Sequence, residues 1–228
     1  MPETKSLFDS ISRRYDLLNT ALSLGLDRHW RKTLVEKTPT KAPLSLALDV
    51  AVGTAEVAIE ISKRWQGYVL GIDPSEKMLK LAMKKIKRLG MEEDISLIQG
   101  FAEDLPFRDG AFDTATIAFG IRNTADPLKS LREIRRVLRP GGRVGILEFA
   151  VPKNRLFKPF FLFYLQNVLP LLASIVSRGE AYRYLADSIV DFPQREEFVE
   201  LMKKAGFRFR KAVELTMGTV ILYVGSRE

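Results

Sequence analysis

Two acidic residues of this sequence, Asp49 and Asp73, each close a short apolar run. Asp49 lies near the end of the run Leu44–Val50, and the small-residue turn Ala51–Ala55 follows directly. Asp73 closes the run Tyr68–Asp73, about twenty residues beyond that turn, where an acid can accept hydrogen bonds from ribose hydroxyls. The pattern predicts a nucleoside site, although an acid after a strand also occurs in folds that bind nothing there.

The composition of the turn indicates which nucleoside would fit. Dinucleotide sites need glycines where a pyrophosphate meets a helix N-terminus, but Ala51 and Ala55 occupy these positions, and no phosphate-loop lysine follows. S-adenosylmethionine has no phosphate, and Phe101 in the loop after the third predicted strand would supply an apolar face for its adenine. We therefore predict S-adenosylmethionine as the cofactor. The residues predicted to bind it are Asp49, Gly53, Thr54, Asp73, Met78, Phe101, Ala102 and Ala118.

The sequence contains no cysteine and a single histidine, His29. Without thiols there can be no disulfides, no cysteine-ligated zinc or iron–sulfur centre, and no thiol nucleophile. One histidine also disfavours a histidine-rich metal site or a Ser-His-Asp triad, so no metal is predicted. The chemistry has to come from something other than metals and nucleophilic side chains.

The helices and strands that must position these residues are predicted from residue 27 onward. Strands are predicted at residues 44–50, 68–73, 95–100, 112–119 and 143–149, and later at 207–215 and 219–225. Helices are predicted at 27–36, 57–65, 75–89, 125–138 (closed by the Arg-Pro-Gly-Gly stretch 139–142) and 194–205. Alternation of this kind predicts a largely parallel sheet covered by helices on both faces. The last two strands form a hairpin that makes the sheet mixed at one edge.

The chain is predicted to form one domain over residues 1–228. Its parts are N-terminal helices (1–40), a cofactor-binding core (44–150), a helical insertion (151–192), and a closing helix and hairpin (193–228). Within the insertion, the Phe- and Leu-rich segment 157–176 is interrupted by Lys158 and by prolines, which argues against a membrane-spanning helix. This segment either forms a helix that covers the core, or lines the site of a hydrophobic substrate or contacts a membrane surface.

The chain carries 36 Lys and Arg against 28 Asp and Glu, a formal net charge of +8. This balance favours an anionic partner such as nucleic acid, a lipid surface or a phosphate-bearing ligand, unless it only solvates a basic face. The N-terminal segment MPETKSLFDSISRRYD lacks an apolar signal core, so a cytoplasmic location is expected. Scarce amides, together with abundant Lys, Arg and Glu, indicate a thermophilic source.

Four further stretches carry a family resemblance. They are residues 15–23 (YDLLNTALS) with Trp30, 119–123 (FGIRN), 136–149 (RVLRPGGR leading to LEF) and 182–189 (YRYLADSI). Together with the cofactor turn they cover almost the whole chain, and only the RPGG part is common among methyltransferases in general. The chain thus resembles the class I S-adenosylmethionine-dependent methyltransferases, and among them the C-methyltransferases of ubiquinone and menaquinone biosynthesis.

The resemblance implies both a fold and a reaction. The fold would be an α/β, Rossmann-like, seven-stranded and mostly parallel sheet with one antiparallel edge hairpin and helices on both faces. The reaction would be methylation of a ring carbon of a prenylated quinol, either demethylmenaquinol or the related ubiquinone precursor. Methylation of another small molecule on the same fold stays open as the alternative.

The resemblance also assigns site residues. Arg122 and Asn123 would be catalytic, with Arg122 stabilising phenolate charge or orienting a water and Asn123 assisting. Arg122 could instead form a structural salt bridge with an acid such as Glu148. The N-terminal helices and the late insertion would line the substrate side. The residues expected to contact the substrate are Tyr15, Asn19, Tyr182, Arg183 and Tyr184.

The same residues argue against a nucleic-acid methyltransferase. The chain lacks the Asn/Asp-Pro-Pro-aromatic run of amine-methylating nucleic-acid enzymes after its fourth strand, and it lacks the cysteine of pyrimidine C5 enzymes. Nucleic acid is therefore not predicted as a partner, whereas a non-catalytic S-adenosylmethionine-binding protein stays open. Peripheral contact with the inner face of the membrane and formation of a homodimer are further hypotheses.

Overall fold

A computed structural model of the chain describes residues 20, 23, 25–38, 46–65, 67–168 and 180–228. The helix predicted in the first twenty residues, with Tyr15 and Asn19, lies outside the described residues. The strands, in chain order, are β1 (Leu46–Val50), β2 (Tyr68–Asp73), β3 (Ile95–Gln99), β4 (Phe112–Ala118), β5 (Leu138–Phe149), β6 (Arg208–Leu215) and β7 (Val220–Ser226). The helices are α1 (Leu26–Lys37), α2 (Glu56–Trp65), α3 (Glu76–Arg88), α4 (Pro127–Val137), α5 (Phe157–Phe163), α6 (Glu180–Asp191) and α7 (Glu196–Lys204).

The seven strands form one sheet in the order β3-β2-β1-β4-β5-β7-β6. Strands β1 to β5 pair in parallel, whereas β7 runs antiparallel to both β5 and β6. This confirms the predicted mixed sheet with its edge hairpin. The chain builds outward from β1 to β3 and then returns to β4 on the other side of β1. Ligands of open parallel sheets bind at such a reversal, outside the carboxyl ends of the strands.

Local signals explain where two of the helices begin. Ser75 precedes α3, and its hydroxyl accepts a hydrogen bond from the Met78 amide at 3.2 Å. Asp126 precedes α4 and accepts from the Lys129 amide at 2.9 Å, and Pro127 fills the first helical position. These are the capping residues that leave the fewest amide groups of the first turn without a partner.

The RPGG stretch was predicted to close the helix before a strand that begins at residue 143, and the helix does end just before it, at Val137. Strand β5 begins at Leu138, so the stretch lies within the strand. The Gly141 amide donates to the Arg227 carbonyl at 2.7 Å, and the Arg227 amide donates to the Gly142 carbonyl at 2.9 Å. Gly141 has φ +79°, a conformation that glycine adopts without strain. The two glycines therefore extend the sheet at this point.

Both faces of the sheet are buried. On one face, α4 and α7 cover Leu48, Ile117 and Ile146, with Leu131 and Phe198 fully buried between them. The opposite face is covered by α1, α2 and α3. Its buried residues include Leu34, Ala47, Ile61, Val69, Leu79 and Leu147. The predicted placement of helices on both faces is confirmed.

Helix α5 is the start of the segment 157–176, of which residues 169–176 lie outside the described residues, and in this first part the interpretation as a helix that covers the core is not supported. None of its seven residues is buried. Leu156, Phe160 and Phe163 are 82%, 73% and 62% exposed, whereas Leu165 in the following π-helical turn is buried. Within the described part of the chain, no helix is both long and apolar enough to cross a membrane.

Helix α1 docks on β5 and β7 through a close approach at one glycine. Gly145 of β5 faces Leu34 and Thr38, and a β-carbon at this position would lie 2.2 Å from the Thr38 Oγ1 atom and 2.7 Å from a Leu34 methyl group. At the other end of α1, the Trp30 indole donates to the Thr216 hydroxyl at 2.8 Å. Because α1 also brings Arg31 to the edge of the sheet, this docking helps to build the site.

We predict that Gly145→Ala lowers the free energy of unfolding by about 1 to 3 kcal/mol, because the added methyl group displaces α1. The measurement is urea denaturation followed by tryptophan fluorescence, which reports on the environment of Trp30.

Thr38→Ala is the matched control for this prediction. The buried Thr38 hydroxyl has no hydrogen-bond partner among the described residues, so its removal breaks no hydrogen bond there and is expected to cost less than about 1 kcal/mol. In the double variant the nearest clashing atom is gone, and part of the stability should return. Independent, additive losses would show that the two residues are not in contact.

Candidate active site

A cavity opens at the carboxyl ends of β1, β2 and β4, where the strand order reverses. It encloses about 860 Å³, counting its open mouth, which is within the size range of ligand sites. We call it the main cavity, and a smaller depression beside it the side pocket. The main cavity is lined by Gly53, Asp73, Met78, Phe101, Ala102, Ala118, Phe119 and Asn123, among others. The side pocket is lined by Arg31, Asp49, Gly53, Thr54, Ala118 and Phe119, among others. All eight residues predicted to bind the cofactor thus line one or both cavities.

Asp73 fastens the turn after β1 to the end of β2. One carboxylate oxygen accepts from the Gly53 amide at 2.9 Å, and the other accepts from the Ser75 amide at 2.8 Å. Ala51, Gly53 and Ala55 have φ values of +53°, +54° and +67°. Two alanines therefore hold a conformation that costs an L-residue roughly 1 kcal/mol or more. The strained turn leaves open space around Gly53, where an added β-carbon would meet nothing closer than 4.0 Å.

Asp49 is a buried carboxylate at the base of the side pocket. Its Oδ1 atom accepts from the Thr116 hydroxyl at 2.7 Å across the β1–β4 pair, but its Oδ2 atom has no hydrogen-bond partner among the described residues. Burial raises the pKa of Asp49 to about 7, and the Thr116 hydrogen bond and the Arg31 charge oppose this only in part. The side pocket therefore holds an acceptor that is suited to a cationic group.

Arg31 was not predicted as a site residue. It lies on α1, and its guanidinium forms an ion pair with Asp27 at 2.5 Å. Arg31 also lines the side pocket. One arginine on an amphipathic helix of a basic chain carries no distinguishing signal. Its proximity to Asp49 depends on how α1 docks on the sheet, which the helical pattern does not specify.

Arg122 lies in a 3₁₀ turn, Ile121–Asn123, directly after β4. Its NH1 atom donates to Oε1 of Glu148 at 2.6 Å and to the Phe119 carbonyl at 2.7 Å, and its Nε donates to the Ser188 hydroxyl at 3.3 Å. The guanidinium also lies 5.4 Å from the centre of the Phe149 ring. The salt bridge with Glu148 considered from the sequence is thus present, and Arg122 does not line the main cavity.

Asn123 lines the main cavity and shares a partner with Arg122. Its Nδ2 atom donates to the Phe119 carbonyl at 3.2 Å, and its Oδ1 accepts from the Tyr184 hydroxyl at 3.3 Å. Phe119 has φ +57°, an uncommon conformation for an aromatic residue. The two residues predicted to be catalytic therefore converge on the strained carbonyl at the end of β4.

Aromatic rings pack beside this carbonyl. The Phe119 ring lies 4.4 Å from Phe149 and 6.0 Å from Trp30, measured between ring centres. Phe119 lines both the main cavity and the side pocket, so it lies where the two meet. Its importance was not predicted, because its strained backbone cannot be read from a β-strand pattern.

The residues predicted to contact substrate are only partly described. Tyr15 and Asn19 lie outside the described residues, as noted. Tyr182 and Arg183 lie on α6, and the described side chains of this helix begin at Tyr184. Tyr184 is 36% exposed and contacts Asn123. Helix α6 thus places at least one of these residues beside the main cavity.

The strand order, the acids at the ends of β1 and β2 and the small-residue turn between them define a class I S-adenosylmethionine-dependent methyltransferase. A solved structure of a SAM-dependent methyltransferase from Thermotoga maritima, described as a possible histamine N-methyltransferase, shares the fold. Its TM-score is 0.67, with 20% sequence identity over 99% of this chain and 100% of that one.

The chain belongs to the ubiE/COQ5 methyltransferase family, whose model matches residues 2–227. It is 43% identical to the ubiquinone/menaquinone biosynthesis C-methyltransferase UbiE of Geotalea daltonii, over 98% of this chain and 95% of that protein. It is also 43% identical to the demethylmenaquinone methyltransferase of Thermus thermophilus, over 97% of this chain and the full length of that protein. The thermophilic character of this second relative agrees with the prediction from composition.

The residues at this edge of the sheet fit S-adenosylmethionine. The ligand carries an ammonium group, for which the buried Oδ2 atom of Asp49 is a suitable acceptor, since it has no hydrogen-bond partner among the described residues. The open space at Gly53 allows a ligand to approach the backbone. Asp73 lines the main cavity, and its carboxylate oxygens are acceptors of the kind that ribose hydroxyls donate to.

We predict that the raised pKa of Asp49 makes the protein less stable as the pH rises. Since the folded-state pKa is about 7 and the ordinary value is 3.8, the folded protein binds more protons between these values. Its free energy of unfolding should therefore fall up to about pH 7 and stay level above it. The free energy of unfolding of Asp49→Asn, relative to that of the parent, should therefore increase by about 2 to 3 kcal/mol from pH ~5 to pH ~8. Urea denaturation at the two pH values measures this.

Asp94→Asn serves as the matched control, because Asp94 is exposed just before β3 and only its main chain is paired. Its difference from the parent should be the same at both pH values. If Asp49→Asn behaves in the same way, the Asp49 carboxyl does not titrate in the expected range.

Proposed function

We propose that this protein methylates a ring carbon of a prenylated quinol, either demethylmenaquinol or the related ubiquinone precursor. The observation that supports this is the meeting of three family stretches at one place. Arg122 from FGIRN contacts Glu148 from LEF and Ser188 from YRYLADSI, beside the Phe119 carbonyl. The names of the relatives from Geotalea daltonii and Thermus thermophilus support the same class of substrate.

On this proposal the two cavities divide the cofactor between them. The side pocket would hold its amino-acid portion, with Asp49 accepting from the ammonium group and Arg31 facing the carboxylate. The main cavity would hold the nucleoside, with Asp73 accepting from ribose hydroxyls and with Met78, Phe101 and Ala102 around the adenine. Bound S-adenosylmethionine supplies a methyl group made electrophilic by its sulfonium. The residues between the cavities, Ala118 and Phe119, would face this centre.

The quinol ring has to become nucleophilic at carbon, which happens when a neighbouring hydroxyl loses its proton. Arg122 stays charged and cannot accept that proton. Its role on this proposal is to stabilise the phenolate charge, and the fixed guanidinium needs little reorganisation to do so. Asn123 would assist from the wall of the main cavity and hold Tyr184 against the substrate.

The exposed helix α5 is our candidate for the contact with the prenyl tail and with a membrane surface. Leu156, Phe160 and Phe163 present apolar side chains to solvent. The cationic residues Arg155 and Lys158 lie beside them and are also exposed. Aromatic side chains flanked by cations suit the headgroup layer of an anionic membrane. Contact at the inner face of the membrane would bring the site to its substrate, and the homodimer stays a hypothesis.

Turnover of a quinol tests the proposal. Purified protein with labelled S-adenosylmethionine should methylate a short-chain demethylmenaquinol or demethoxy-benzoquinol analogue. Asp73→Ala should weaken cofactor binding by about 2 to 3 kcal/mol, because it removes an acceptor from the ribose and releases the Gly53 turn. Isothermal titration calorimetry measures the binding, and transfer of label to the quinol measures turnover.

Asp94→Ala is the control, since it removes an exposed Asp that lies at the amino end of β3, away from the carboxyl ends of the strands, and that lines neither cavity. Cofactor affinity of this variant should match the parent. An unchanged affinity for Asp73→Ala would remove Asp73 from the site. Cofactor binding without methylation of any quinol would count against the proposed substrate class.

The membrane contact predicts binding to vesicles containing phosphatidylglycerol. Binding should weaken as salt is added, since charge screening reduces the attraction of Arg155 and Lys158 to anionic lipid. Phe160→Ser/Phe163→Ser should bind several-fold more weakly still, because these side chains no longer insert. Co-sedimentation with vesicles measures both effects.

Met83→Ser is the matched control for the double variant. Met83 is an apolar side chain, 58% exposed on α3, and it is not part of the proposed contact. Its loss should leave vesicle binding unchanged. Equal binding of the parent and the α5 double variant, together with equal turnover of prenylated and tail-less quinols, would reject this part of the proposal.

A further inference from the structure

Glu148 lies at the end of β5 with its side chain 1% exposed. Two well-formed hydrogen bonds reach the same carboxylate oxygen, and the Arg122 amide also acts on the carboxylate. The Arg122 NH1 atom donates to Oε1 at 2.6 Å, and the Phe149 amide donates to Oε1 at 2.9 Å. The other oxygen, Oε2, has no hydrogen-bond partner among the described residues. A buried carboxylate is thus half satisfied.

Such an arrangement is costly unless the free oxygen has a function. An unpaired buried acceptor destabilises a fold by about 1 to 3 kcal/mol, and more when it is charged. Burial raises the pKa of Glu148, although the Arg122 charge opposes this. Glu148 is therefore a stronger proton acceptor than an exposed glutamate, and one oxygen is free to take a proton.

The proposed methylation needs a proton acceptor near Arg122. The guanidinium itself cannot act as one. The charged and titratable groups of the described residues that act on Glu148 are Arg122, from the turn after β4, and Tyr223, from β7. Burial raises the pKa of Tyr223 to about 12, so it keeps its proton. Ser188, which packs on Arg122 from α6, is neutral. Glu148 is left as the acid in contact with the guanidinium.

We propose that Oε2 of Glu148 receives the hydroxyl proton of the quinol, and that Arg122 then pairs with the phenolate. This inference rests on the proposed function. Before the transfer, the guanidinium is balanced by the Glu148 carboxylate; afterwards it is balanced by the phenolate, while Glu148 is neutral. The net charge of the buried site does not change, which avoids the cost of an extra unpaired charge.

The step balances in atoms and electrons. The quinol O–H bond breaks, the proton goes to Oε2, and the electron pair stays on the ring. The ring carbon uses this density to form its bond to the methyl group, and the electron pair of the broken methyl–sulfur bond stays on the sulfur. The ring then loses the proton of the methylated carbon to solvent, and Glu148 returns its own proton to the quinol oxygen.

The pH dependence of turnover in Glu148→Gln tests the inference. Glutamine keeps the size of the side chain and an oxygen for Arg122 and Phe149, but it cannot accept the proton. Near neutral pH, kcat should fall about 100-fold or more, in the range of general-base catalysis. In the pH range where the parent's kcat does not change, the logarithm of the variant's kcat should rise by about one per pH unit. The reason is that hydroxide, or ionisation of the quinol in solution, then replaces Glu148. An analogue with a more acidic hydroxyl should partly restore turnover.

Ser188→Ala is the matched variant for this test. It removes the contact at Nε of Arg122 but leaves Glu148 in place, so it should lower kcat and keep the parent's pH profile. Calorimetry with S-adenosylmethionine shows whether each variant still folds and binds the cofactor. If Glu148→Gln does not fold, the pH profile of the parent tests the inference instead. A parent kcat that rises with pH up to the pKa of the quinol itself would exclude a base within the protein.

The outcomes separate the inference from the function on which it rests. The role of Glu148 is overturned if the parent methylates quinols and Glu148→Gln keeps the parent's pH profile, whatever its kcat. The proposed function would still stand in that case. A parent that binds the cofactor but methylates no quinol overturns both.

Discussion

The parallel pairing of β1 with β4 is the constraint on which the site depends. The chain leaves β1 on one side for β2 and β3 and returns on the other side at β4. This reversal leaves space above the ends of the two strands, because their connections run in opposite directions. The register of the pair also sets the chemistry, since Asp49 lies opposite Thr116 and is held by its hydroxyl. A shift of one residue in either strand would turn that strand's side chain to the other face and separate Asp49 from Thr116.

Two buried carboxylates, Asp49 on β1 and Glu148 on β5, share an unusual feature. Each has one oxygen engaged by protein donors and one oxygen without a partner among the described residues. Burial raises the pKa of both. Charged groups buried in this half-satisfied way reduce stability, so they persist where a ligand completes them. Their positions, on either side of β4, correspond to the cofactor side and the substrate side of the proposed site.

Much of the fold and of the cofactor side could be predicted from local sequence. Strand and helix patterns depend on nearby residues, and acids at strand ends meet at one edge because parallel strands share their direction. The strand after the RPGG stretch was predicted to begin at residue 143 but begins at Leu138, because the glycines of the stretch pair with Arg227, which is distant in sequence. The contribution of Arg31 and the positive φ of Phe119 depend on tertiary docking and on the hydrogen bonds of Arg122 and Asn123. Patterns in the sequence contain no signal for these.

The two halves of the site are built by different physical means. On the cofactor side, the ligand would meet mostly backbone, held in a strained turn by Asp73, so the shape is fixed before anything binds. On the substrate side, a charged pair, Arg122 and Glu148, is held under α6 by Ser188 and stacked on Phe149. A fixed shape suits a cofactor whose charge does not change on binding. A buried charge pair suits a quinol, because a guanidinium that already has one anionic partner can exchange it for another without moving.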